Sequence, residues 1–113
     1  MGLLIQDGYT MEGKLPDRGA LHGEITFKYR PALPEAVNAY LKEINNATAD
    51  KALAADLRLI AKYVVEIATV DDWPADEAGR VKMLRMVPHP DLQVLVSHVC
   101  CWSAGEWAAK EKN

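Results

Sequence analysis

The sequence predicts an α+β fold, mainly α, with a small N-terminal antiparallel sheet followed by a compact bundle of about four helices. Two observations carry that prediction. In GEITFKYRPALPE, residues 23–35, the apolar Ile25, Phe27 and Tyr29 alternate with Glu24, Thr26 and Lys28, the period of two of a half-buried strand. From Pro34 onward the apolar residues recur at steps of three and four, as on a helix lying against a core. The 113 residues suit a single domain, with 1–33 as its extended part and 34–113 as its helical part.

Taken in order, the extended part offers two strand pairings. Asp7-Gly8 favours a tight hairpin between Leu3-Leu4-Ile5-Gln6 and Tyr9-Thr10-Met11-Glu12. Residues 9–15 could equally pair with 24–29 across the loop 16–23, and both pairings stay open at this point. Arg30-Pro31 then stops the strand, because proline removes a backbone donor and biases the residue before it away from the helical region.

Pro34-Glu35 opens the first helix: the missing N–H costs nothing in a first turn, and a carboxylate suits the positive end of the helix dipole. Val37, Tyr40, Leu41 and Ile44 form its apolar stripe, and Asn45-Asn46 ends it. Asp50 is the expected N-cap of the second helix, whose Leu53, Leu57, Ile60, Val64 and Ile67 carry the central core stripe to about Thr69. After the Asp71-Asp72-Trp73-Pro74 turn, Asp76 and Glu77 start a short third helix with Arg80, Lys82 and Arg85 toward its end. Val81, Leu84 and Val87 keep its stripe and leave Met83 and Met86 to one side. Pro88-His89-Pro90-Asp91 breaks that helix and starts a last one over 90–109, where Leu92, Leu95, Val96, Val99, Trp102 and Trp107 are apolar on more than one side. Such a helix is either central or covered by a partner.

Composition narrows the function. A net charge of −3 with no basic cluster argues against nucleic acid as a partner, since phosphate binding needs a concentrated basic surface. No apolar run reaches membrane-span length, and residues 1–6 are too short and uncharged for a signal peptide, so the expected place is the cytoplasm. The neighbours Cys100 and Cys101 point about 100° apart on a helix, which disfavours a bridge between them and suits reduced, packed thiols.

No catalytic constellation emerges. His98 and Cys101, one turn apart, could share a metal with His89 or His22, but the paired spacing of a zinc site is missing. Asp71, Asp72, Asp76 and Glu77 lack the ligand order and central glycine of a calcium loop and read as capping and solvated carboxylates. Ser97 beside His98 is not a triad, and the glycines form no phosphate loop. The chain is therefore read as non-enzymatic, with no cofactor and no metal. Trp73, Met83, Met86 and Trp107 are the candidate partner-binding residues, since tryptophan is enriched at binding hot spots and methionine repacks easily.

The order of features, from the GYT opening through Tyr29-Arg30-Pro31, a helix pair, Asp71-Asp72-Trp73-Pro74 and Pro88-His89-Pro90, resembles the tail assembly chaperones of tailed phages and prophages. The resemblance runs from about Asp7 to Trp102, with Trp73 beyond the Glu66-Ile67-Ala68 position where that group carries its aromatic. It implies a protein that keeps the helical tape-measure protein soluble and recruits tail-tube subunits. A homo-oligomer is compatible with that role. The alternative is a structural subunit of a head-tail connector or tail terminator. The resemblance also implies a longer frameshifted product, and Glu111-Lys112-Asn113 can be encoded with an A-AAA-AAC slippery heptamer.

Overall fold

The structure is a computed structural model that describes residues 9–101. The Asp7-Gly8 turn, Trp102 and Trp107 lie outside the described residues. Three strands and four helices follow in the order β1 (Met11–Leu15), β2 (Ile25–Tyr29), α1 (Pro34–Ile44), α2 (Ala49–Tyr63), β3 (Val64–Ile67), α3 (Glu77–Leu84) and α4 (His89–Val99). The chain is thus mainly helical, with a small antiparallel sheet.

β2 is the middle strand, in the order β1-β2-β3. Of the two open pairings, the one across the long loop forms, with Gly13 opposite Phe27 and Leu15 opposite Ile25. The alternation acts as the sequence predicts: Phe27 and Tyr29 are buried and Ile25 half-buried, while Lys28 and Glu24 face water in ion pairs with Glu66 and Lys14. At Gly13 the absent side chain is required. A Cβ there would stand 2.6 Å from Phe27 Cζ and 2.8 Å from His98 Cδ2.

β3 corrects the reading of one long second helix to about Thr69. Helix α2 ends at Tyr63, and the next four residues pair with β2. Lys28 faces Glu66 and the adjacent Tyr29 faces Val64, so Val65 is an extra, bulged residue. In a regular strand Val64 and Ile67 would point to opposite faces. The bulge turns both into the core, where they are 0% and 6% exposed. Their spacing of three continues the step of a helical stripe, which is why periodicity extended the helix through them. β-Branched residues at three of the four positions favour the extended form.

A helix that becomes a strand without a loop leaves carbonyls at its end to satisfy. Two arginines satisfy them. Arg80 Nη1 donates to Ala61 O at 3.0 Å and to Val64 O at 3.3 Å, Arg30 Nη2 donates to Lys62 O at 3.0 Å, and the Arg30 backbone N–H donates to Tyr63 O at 2.8 Å. Trp73 Nε1 adds a bond to Val64 O at 3.2 Å, and the Arg80 guanidinium lies 5.3 Å from the Trp73 ring. Arg80 therefore joins the turn before α3 to the end of α2 instead of serving only the dipole of its own helix.

The other helix starts follow local chemistry. Pro34 opens α1, and Asn46 leaves it at a φ of 60°, a left-handed position that asparagine tolerates. The N-cap of α2 is Thr48, whose Oγ1 accepts from Lys51 N at 3.3 Å, and Asp50 stands inside the first turn, not at the cap. Asp76 caps α3 through Gly79 N at 2.9 Å. α4 stops at Val99, short of the expected 109, where Cys101 takes a φ of 60°. Cys100 is buried and Cys101 exposed, both as free thiols, so only the first is the packed thiol expected of the pair.

One core joins the sheet to the helices. Phe27, Leu57, Ile60, Leu84, Leu95 and Val96 are among its fully buried members. The apolar excess of α4 is taken up here: Leu92, Leu95, Val96 and Val99 are buried by the protein's own sheet and by α2.

Candidate functional site

The expected constellations separate in the fold. His98 packs edge-on against Phe27 and Tyr29, with ring centroids 5.2 and 5.7 Å apart, and its Nδ1 lies 2.9 Å from Val94 O. His22 meets Asp91, and His89 is exposed at the start of α4. Among the described residues no group of three or more His, Cys, Asp or Glu could hold a metal ion. Asp71, Asp72 and Glu77 are exposed beside the capping Asp76, and Ser97 Oγ donates to Val94 O at 2.8 Å. Burial pushes the Cys100 thiol up to about 12, which leaves it protonated and a poor nucleophile at neutral pH.

The candidate partner residues fare unequally. Trp73 is half-buried and engaged with Val64 and Arg80, which fixes the turn before α3. Met83 is half-buried on α3, and Met86, just past its end, is 80% exposed with its N–H bonded to Met83 O. Trp107 lies outside the described residues. The structure thus brings Met83 and Met86 together at one corner, with Trp73 occupied by the fold itself.

A different surface gathers more features. An open groove of about 600 Å³ runs between α1 and α2. Ala36 and Ala39 from α1 and Ala55 and Leu59 from α2 are its small and apolar lining, and Lys42, Arg58 and Lys62 its basic one. Glu43, the one carboxylate lining it, is ion-paired with Arg58. Tyr63 also lines it, with cations on its ring: Arg30 Cζ lies 5.8 Å and Lys62 Nζ 5.6 Å from the centroid. In a chain of net charge −3 this is a locally basic surface.

No family model matches the chain, and no curated protein or solved structure is significantly similar to it.

Through the groove residue Tyr40, Asp56 ties α1, α2 and α4 together. It is 6% exposed, accepts from the Tyr40 hydroxyl of α1, and accepts from Gln93 Nε2 of α4 at 3.0 Å. Burial, and then the bond to Asp56, push the Tyr40 hydroxyl well above the ordinary tyrosine range. The junction joins α1 to α2 at Tyr40, one of the residues that line the groove.

Sequence reading missed the groove and Asp56. The signals were present as Ala36 and Ala39 three apart on α1 and Arg58 and Lys62 four apart on α2, each pair on one helix face. Alanine and exposed arginine or lysine are too common on helices to single these out before the two faces are seen to meet. Among the described residues, no helix is long and apolar enough to cross a membrane.

Proposed function

We propose that this chain is a non-enzymatic, protein-binding assembly factor of the tail-chaperone kind. It holds a helical segment of a tape-measure protein in the α1/α2 groove and helps recruit tail-tube subunits in the bacterial cytoplasm. The single observation that carries the reading is the pairing of an alanine-lined floor with a basic rim at Lys42, Arg58 and Lys62. Small side chains let a second helix approach closely, and an amphipathic helix docks in such a groove through its apolar face. α1, at 11 residues, is about 16 Å long and matches about three turns of a partner helix. Rim cations select a partner with acidic flanks and speed its encounter without adding much affinity. The exposed Met86 supplies a second, adaptable apolar contact.

Co-expression with a candidate tape-measure protein tests the reading. The expected result is a soluble complex that the Arg58→Glu/Lys62→Glu double variant captures at least about tenfold less, because two attractive rim charges become repulsive. A tape-measure protein equally soluble without this chain, or captured equally by a folded double variant, rules the reading out. A stable ring of this chain that remains in purified particles favours the connector or terminator class instead.

A further inference from the structure

We propose that loop 16–24, between β1 and β2, is held on α4 by a protonation-gated clasp in which His22 bridges Gly23 and Asp91 with both ring nitrogens carrying protons. Asp91, in the first turn of α4, is 0% exposed although it is a carboxylate. Its Oδ1 accepts from Arg18 Nε at 2.9 Å, and its Oδ2 lies 2.6 Å from His22 Nε2. The other ring nitrogen, Nδ1, lies 2.6 Å from Gly23 O. A carbonyl oxygen only accepts, and so does an ionised carboxylate, so the ring must donate from both nitrogens. Arg18 donates to the other oxygen of the same carboxylate, which leaves Oδ2 as the acceptor for the imidazole.

A neutral imidazole has a single N–H. Loss of one proton turns one of the two short contacts into acceptor against acceptor, so a neutral ring can bond Asp91 or Gly23 but not both, and the charge that attracts it to the carboxylate is gone. The charged groups that face the ring are Asp91 from α4 and Arg18 from its own loop. The remaining charges nearby are engaged elsewhere: Asp17 accepts from Gly19 N at 2.7 Å, Glu24 pairs with Lys14, and His89 lines the separate pocket beside Tyr40 and Asp56. The bond to Gly23 O, and then Asp91, raise the His22 pKa above its ordinary 6.5. Because the folded value is the higher one, the clasp is complete below pH 6.5 and is lost as pH rises through the folded value. Opening frees the loop that carries the 71% exposed Leu21 and uncovers the first turn of α4.

The test follows the His22 ring nitrogens by NMR from pH 5.5 to 9.5, roughly one unit below to three units above the ordinary histidine value. In parallel it follows exchange protection, corrected for intrinsic rate, of the Arg18 and Leu21 amides, which bond His22 O and Arg18 O inside the loop. The expected result is both ring nitrogens protonated at low pH, a midpoint above 6.5, and protection that falls about tenfold with the same midpoint while far-UV circular dichroism is unchanged. Asp91→Asn lowers the midpoint, and His22→Gln makes loop protection independent of pH. A wild-type midpoint at or below 6.5, or loop protection that does not follow His22, overturns the clasp; neither result depends on a variant folding.

Discussion

Asp56 and Asp91 are two buried carboxylates that join distant segments by different chemistry. Asp56 is held by neutral donors, a phenol and an amide, on helices that are themselves packed into the core. Asp91 is held by two cationic donors, Arg18 and His22, both on a loop. The first junction fixes helix against helix across the ordinary pH range, since Tyr40 is driven to stay protonated. The second holds its loop at full strength only while one imidazole is charged, with Arg18 left on the carboxylate once it is not. Equal burial therefore says little about the conditions under which a carboxylate stabilises its surroundings. What decides is whether its donors titrate.

One apolar core underlies both junctions, and the largest expected effect falls on it. Phe27, 1% exposed beneath Gly13 and His98, is expected to cost about 3–5 kcal/mol on Phe27→Ala in urea unfolding. A folded variant with unchanged stability would make the strand peripheral and uncouple the two regions. Next, Asp91→Asn is expected to cost about 2 kcal/mol at pH 6 and clearly less at pH 9, where the wild-type clasp is already weakened. An equal cost at both pH values breaks the contrast. Tyr40→Phe, which leaves a buried Asp56 oxygen without its donor, is expected to cost about 1–2 kcal/mol, the same at pH 6 and pH 9.

Alkaline titration sharpens the same contrast. The His22 contribution fades from pH 6.5 upward, whereas the Tyr40 contribution holds until about pH 10, where the unfolded chain begins to ionise and the folded one does not. Phenolate absorbance should show one tyrosine that ionises only on unfolding. The smallest effect is a control that touches neither carboxylate: Thr48→Ala removes the α2 cap and is expected to cost about 1 kcal/mol at either pH.

Much of the framework was legible from local rules. Phe27 and Tyr29 fell on the buried face because a strand alternates, and Pro34-Glu35, Asp76-Glu77 and Pro90-Asp91 marked helix starts because helix ends have unsatisfied N–H groups. Val64 and Ile67 were assigned to a helix because a bulge gave a strand the spacing of one. The apolar α4, which was read as either central or covered by a partner, has Leu92, Leu95, Val96 and Val99 buried by its own sheet and by α2. Of the candidate partner residues, Trp73 is committed to the end of α2 and Met86 is exposed, a distinction that residue type alone does not carry.

Outside residues 64–67, the sequence by itself determined where the chain extends, where it coils and which face of each element is apolar, since those properties are set within a few residues. Only the tertiary structure decided that β3 completes the sheet, that Ala36, Ala39, Ala55 and Leu59 line one groove, and that Asp91 belongs to His22 and Arg18. Those last partners are 69 and 73 residues away along the chain. No periodicity reports a contact at such separation. It exists because folding the core around Phe27 carries the loop and the start of α4 to the same place, where a buried charge must find its donors.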